Sequence, residues 1–139
     1  MQRRRFLVTV ACGATAFGCG GGTKAASGPI AGGSIKAVSV GYFAFVSGQP
    51  VVLARDARGL YAMTAICTHD ECDISTSGGV DSSGLHCDCH GSRFDKNGNV
   101  ARGPAGSALE HYRVDLAADG AITVQAGTIV GADARTTVP

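Results

Sequence analysis

Cys67-Thr68-His69-Asp70-Glu71-Cys72 and Cys87-Asp88-Cys89-His90-Gly91-Ser92 are the stretches on which the reading of this chain turns. The first holds Cys-x-His and the second Cys-x-x-His, with seventeen residues between His69 and Cys87. Both are chelate spacings, because one tight loop can aim a thiolate and an imidazole at a common point. Turn formers lie between them, at Ser77-Gly78-Gly79 and Asp81-Ser82-Ser83-Gly84. Two such loops side by side offer two thiolates and two imidazoles. Cys72 and Cys89 are left over within the same stretches.

Outward from these loops the sequence reads as short strands. Ile35 to Val40 alternates, and Gly41 breaks the run. Phe43–Ser47, Val51–Arg55 and Leu60–Ile66 are rich in Val, Phe and Tyr, with turns at 48–50 and 55–59. Leu85–Cys87, Ser92–Phe94 and Val100 follow. Leu109–Leu116 alternates, Ala118-Asp119-Gly120 is a hairpin turn, and Ile122–Val124 completes that pair. No segment holds a 3.6-residue period over three turns. Eight or nine short strands with frequent turns predict an all-β domain, a small antiparallel sandwich or barrel. Residues 127–139 show no pattern and read as a frayed tail.

The N-terminus reads differently. Met1-Gln2-Arg3-Arg4-Arg5 precedes a charge-free apolar and small-residue run of 13 residues from Phe6 to Gly18. A basic region followed by such a run is a signal peptide, and the run falls short of the ~20 residues a spanning helix needs. Arg3-Arg4-Arg5-Phe6-Leu7 resembles a twin-arginine (Tat) export signal, a route for proteins folded around a cofactor; an arginine-rich ordinary secretory signal is the alternative. Ala16-Phe17-Gly18-Cys19 resembles a lipobox, with Ala16 where Leu is usual. Cys19 would then be a lipidated first mature residue, anchoring the chain to a membrane, or else be cleaved away with the signal. Cys12 reads as a small apolar residue. Residues 19–33, with Gly20-Gly21-Gly22, Ser27 and Pro29, read as a flexible tether. The expected organisation is a signal peptide over 1–18, the tether over 19–33, one domain over 34–126 and the tail over 127–139.

Composition sets limits. The 139 residues have room for one small domain, and 45% hydrophobic with 17% charged is ordinary globular material. Net charge is +1, which gives no field for nucleic acid. Without residues 1–18 the balance is nine basic against eleven acidic, or −2. No Ser/His/Asp constellation, phosphate loop or paired acid–base carboxylates stands out, so no catalytic residue is expected. His86 would point away from the site if its strand continues, and His111 lies in a strand remote in sequence from both loops.

The pattern Cys-x-His…Cys-x-x-His resembles the Rieske family of [2Fe–2S] proteins, in which two histidines replace two cysteines on one iron. The resemblance implies one cluster, with Cys67 and Cys87 on one iron and His69 and His90 on the other. It places Cys72 and Cys89 where Rieske proteins of cytochrome bc-type complexes form a loop-to-loop disulfide. Ser92 matches a serine whose hydroxyl bonds cluster sulfur, and Gly103-Pro104-Ala105 the proline loop that covers the cluster. The resemblance runs from about Ser34 to Gln125. Its implied activity is one-electron transfer. Its implied partners are an electron donor and acceptor, such as a cytochrome c or the larger subunit of an oxidoreductase, quinol-oxidising bc-like or arsenite oxidase-like. The implied location is the periplasm or a membrane facing it. Phe94 stands where quinol-oxidising members usually carry Tyr. Asp70-Glu71 replaces an apolar residue and Gly, adding negative charge that lowers the potential.

A structural zinc site with two cysteine and two histidine ligands is the competing reading of the four donors. Its spacing is not that of a zinc finger. A plant-type ferredoxin needs Cys-x4-Cys-x2-Cys, which is absent after Cys72. A Cys-x-x-Cys oxidoreductase motif is also missing.

Overall fold

Val51–Asp56 (β3) and Gly59–Thr64 (β4) pair as an antiparallel hairpin, with Asp56 opposite Gly59. The turn between them is closed by Asp56 Oδ1, which accepts from the backbone N–H groups of Arg58 (2.8 Å) and Gly59 (3.1 Å). This hairpin is apolar on both faces because it is covered on both. Val52, Ala54, Tyr61 and Met63 join one buried cluster with Cys67, Cys87, Leu85, Phe94 and Leu109. Val51, Leu53, Leu60 and Ala62 join another with Tyr112, Val114, Ile122 and Val124. Period-two alternation thus sends alternate side chains to two cores.

The computed structural model describes residues 24–139. The Tat-like segment, Cys12 and Cys19 lie outside these residues. The remaining strands are β1 (Pro29–Ser34), β2 (Phe43–Phe45), β5 (Gly78–Asp81), β6 (Gly84–Cys87), β7 (Arg93–Asp95), β8 (Val100–Arg102), β9 (His111–Leu116) and β10 (Ala121–Val130). One antiparallel sheet has the order β1-β10-β9-β4-β3-β2, and a second the order β5-β6-β7-β8. Among the described residues the chain is all-β apart from a single 3-10 turn at Ile35–Ala37, in agreement with the sequence reading. Among the described residues no helix is long and apolar enough to cross a membrane. The smaller sheet carries the second Cys/His loop between β6 and β7 and packs Leu85 and Phe94 onto β3 and β4.

Three expected boundaries are corrected. The domain starts before Ser34, because 29–34 form β1 against β10, with Ile30 buried opposite Val124. Gly32 serves packing there, since a Cβ would come within 2.9 Å of the Ile122 side chain. The 78–79 glycines form strand rather than turn. At Gly79 a Cβ would meet the His86 ring at 2.8 Å, so glycine is needed for close approach. The third correction concerns the tail, which docks. β10 runs on to Val130 past an irregularity between Gln125 and Ile129. Thr136 exchanges backbone hydrogen bonds with Leu60 at 2.8 and 2.9 Å.

Arg135 fastens this segment. Its side chain is 7% exposed, with Nε donating to Asp56 Oδ2 at 2.7 Å. Nη2 donates to Asn97 Oδ1 at 2.8 Å, and the guanidinium lies 3.9 Å from the Tyr61 ring centroid. Burial pushes the Asp56 carboxyl up, but the Arg135 bond and the Arg58 and Gly59 N–H groups outweigh it and hold the group below its ordinary value. A depressed carboxylate stabilises above its unfolded pKa and loses that contribution as pH falls through the folded value. Arg135→Ala should therefore cost about 2 kcal/mol near neutral pH, from a charge-assisted bond and a cation–π contact. The gap from wild type should narrow in acid. Urea melts at both pH values check this.

Candidate metal centre

The two Cys/His loops are built on one hydrogen-bonding frame. In the first, the Cys67 N–H donates to the Cys72 carbonyl (2.8 Å) and the Glu71 N–H to the Cys67 carbonyl (3.0 Å). In the second, the Cys87 N–H donates to the Ser92 carbonyl (2.9 Å) and the Gly91 N–H to the Cys87 carbonyl (2.9 Å). Each frame closes through a left-handed residue four positions after its cysteine, Glu71 at φ 54° and Gly91 at φ 83°. Glycine adopts that conformation freely, while Glu71 carries a cost of roughly 1 kcal/mol. Glu71 is the single non-glycine residue with positive φ among those described.

This frame turns each leading cysteine inward and leaves the following residues at the surface. Cys67 and Cys87 are buried free thiols. Burial pushes the Cys87 thiol up, and the Cys67 thiol beside it pushes the same way. Thiolates, not thiols, would be the iron ligands, so binding there would release protons. His69 and His90 are exposed, with ring centroids 4.7 Å apart and planes at 75°. Two loops from separate parts of the chain thus present a pair of imidazoles over a pair of thiols.

Cys72 and Cys89 are joined as a disulfide between the loops, with Cα atoms 6.7 Å apart. This bridge removes both from the pool of free donors, although the sulfurs of Cys72, Cys87 and Cys89 lie within 4.8 Å of one another. A third loop ties into both. The Ala105 N–H donates to Ser92 Oγ at 3.0 Å, and the Thr68 hydroxyl donates to the Ser107 carbonyl at 2.6 Å. Ser92 is fully buried. With one lone pair taken by Ala105, its own proton remains free to donate. Phe94 is buried in the cluster that contains Cys67 and Cys87 and brings no hydroxyl.

The other histidines fall outside this constellation. His86 packs over Gly79, with Nδ1 3.7 Å from Asp81 Oδ2 and Nε2 4.0 Å from Asp88 Oδ1. His111 is buried and stacks on Tyr61 at 6.1 Å, and burial lowers its pKa. Sequence reasoning missed the matched frames and the Thr68–Ser107 tie, because loop–loop hydrogen bonds leave no spacing signature. The equal placing of Glu71 and Gly91, four residues after Cys67 and Cys87, was the available signal.

The donors left after the disulfide are two soft thiols, buried together, and two exposed imidazoles. That set suits an iron–sulfur centre with thiolates at one end and histidines at the other. The class so defined is a small, all-β iron–sulfur module. The sequence profile of the Rieske [2Fe–2S] domain matches residues 33–113, and the chain belongs to that family. Membership implies one [2Fe–2S] cluster.

Relatives include the cytochrome b6-f complex iron-sulfur subunits of Synechococcus sp. (strain CC9605) and Prochlorococcus marinus (strain MIT 9515). The first is 37% identical over 75 residues, covering 54% of this chain and 41% of the relative. The second is 35% identical over 83 residues, covering 58% and 46%. The chain therefore aligns with less than half the length of these relatives. The plasma membrane Rieske protein PetC3 from Synechocystis PCC 6803 has the same fold, at TM-score 0.52 and 22% identity over 68% of this chain and 97% of that one. A complex of oxygenase and ferredoxin in carbazole 1,9a-dioxygenase gives TM-score 0.52 and 22% identity, covering 73% and 95%. None of these similarities supports the zinc module.

Proposed function

We propose that this chain is an exported one-electron carrier whose electrons enter and leave at the His69/His90 edge. Cys67 and Cys87 hold one iron, and His69 and His90 the other. The observation that carries this reading is the pair of exposed imidazoles 4.7 Å apart beside two buried free thiols. Histidine ligation makes the cluster less negative than an all-cysteine one. Rieske centres accordingly span about −150 to +300 mV, against about −400 mV for plant-type ferredoxins. The imidazoles sit at the surface, so a partner's redox centre can approach them directly. Each can keep a proton on its free nitrogen, which couples proton to electron transfer.

Ser92 tunes this potential by donating its hydroxyl proton to cluster sulfur. A hydrogen bond to a charged group is worth roughly 1.5–3 kcal/mol. About 1.4 kcal/mol corresponds to about 59 mV for one electron. Ser92→Ala should therefore lower the potential by up to about 130 mV while iron content holds. A redox titration followed by EPR measures it.

The Tat-like segment takes the chain across the membrane, and Cys19 anchors it there by a lipid. Residues 19–28 then form the connection to β1. Membrane-linked relatives and the inter-loop disulfide support this placement, since disulfides persist in oxidising compartments. The partners are redox proteins. A role as the small subunit of a larger oxidoreductase is the second reading, favoured by the relatives named as complex subunits.

Fractionation of cells producing the full chain and its Cys19→Ser variant tests the proposal. Wild type should sit in the membrane fraction, and the variant in the soluble periplasm with the same EPR signal. Uncut wild type retained in the cytoplasm contradicts export. A stoichiometric large subunit that stays with the chain through purification moves the assignment to the second reading.

A further inference from the structure

Three sulfurs at the centre have a relationship that electron transfer does not use. The Sγ atoms of Cys72, Cys87 and Cys89 lie within 4.8 Å of one another. Cys72 and Cys89 are bonded, and Cys87 is a free thiol. A thiol beside a disulfide is the arrangement for exchange, which proceeds by attack of thiolate sulfur on one disulfide sulfur with departure of the other.

We propose that the cluster-free chain rearranges its own disulfide, with Cys87 displacing Cys89 from Cys72 and so locking the site against iron. Cys87 loses its proton and its sulfur bonds Cys72 Sγ. The Cys72–Cys89 bond breaks with its electron pair on Cys89, which then takes up a proton. One disulfide and one thiol go in and one of each comes out, so no oxidant or reductant is needed.

Cys72 is the favoured target for two reasons. Attack on Cys89 would have to close a ring across Asp88 alone. Cys89 is also exposed, so the departing thiolate is solvated, whereas Cys72 is half-buried. Iron on Cys87 blocks the reaction by occupying its sulfur. The proposal rests on Cys87 being a ligand. Its consequence is an order of assembly, in which the cluster is seated before the disulfide closes. After cluster loss under non-reducing conditions, Cys87 is then freed for iron only by the reverse attack of Cys89 on Cys72.

The sequence provides the assay. Cleavage before aspartate puts Cys67, Cys72, Cys87 and Cys89 on separate peptides, 56–69, 70–72, 81–87 and 88–94. The full chain is isolated with iron and divided. One half is stripped by a chelator, without oxygen or added thiol. Both are quenched in acid, free thiols are capped, and linked peptides are mapped by mass spectrometry. The loaded half should show 70–72 joined to 88–94. In the stripped half, 70–72 joined to 81–87 should become the majority form, with Cys89 newly capped and far-UV circular dichroism retained. Cys67→Ser keeps the attacking thiol and should exchange without a chelator, while Cys87→Ser should keep the original pairing.

Persistence of the original pairing in both the stripped chain and Cys67→Ser overturns the proposal. So does a random set of linkages rich in 56–69, which reports unfolding. A chain that never binds iron counts against the ligand assignment instead, and Cys67→Ser still reads the exchange by linkage alone.

Discussion

Serine at Cys67 or Cys87 will leave the chain folded but nearly free of iron, at about a tenth of the wild-type content or less. Thiolates are soft ligands suited to iron–sulfur clusters, and binding requires deprotonation that a serine hydroxyl does not undergo. Both cysteines are 2% exposed among apolar neighbours, and the loop frames are held by backbone atoms rather than by these side chains. The secondary-structure spectrum should therefore persist while the cluster's visible absorption disappears. Alanine at His69 or His90 should do the same at less risk to folding, since both are exposed. Alanine at His111, buried on β9, should keep its iron and lose stability instead. Paired iron and sulfide assays with urea melts separate the two patterns.

Loss of the Cys72–Cys89 bridge will cost about 3 kcal/mol, from the entropy of closing a loop this long in the unfolded chain. The two cysteines are 17 positions apart, and their bond is the covalent link between the two ligand loops. Domains of this size are only marginally stable, so that cost is a large fraction of the total. A Cys72→Ser/Cys89→Ser double variant leaves no odd thiol and isolates the bridge itself. It should assemble a cluster in the cold and shed it at a temperature where wild type retains it. Chemical denaturation of the loaded protein measures the difference. An unchanged midpoint would show that the Thr68–Ser107 and Ser92–Ala105 bonds hold the loops unaided.

The candidate site was more legible than the frame that carries it. A chelating pair within one loop must have fixed spacing, so Cys67/His69 and Cys87/His90 stand out as candidates in sequence, and the structure brings the two imidazoles to 4.7 Å. β3, β4 and β9 were legible for a related reason, since period-two burial writes itself into Val51–Ala54, Leu60–Met63 and Tyr112–Val114. The misreadings share a cause, which is glycine. In 29–34 and 78–81, glycine lets backbone or a histidine ring come close, yet composition alone reads it as tether or turn. The docked tail was hidden because one side chain, Arg135, fastens it to residues as distant as Asp56 and Asn97. Periodicity carries no trace of such a contact. The matched loop frames escaped notice because they rest on backbone hydrogen bonds, which are blind to residue type.

One measurement addresses the cluster with mixed ligands most directly. The full chain, produced in a host that loads iron–sulfur proteins, is assayed for iron and zinc, reduced with dithionite and examined by continuous-wave and pulsed EPR. The account predicts two irons per chain, no stoichiometric zinc, a rhombic signal from the reduced cluster and nitrogen couplings from two histidines that vanish on His69→Ala or His90→Ala. A colourless, EPR-silent chain with one zinc and no iron, from a host in which a control Rieske protein assembles normally, would contradict it.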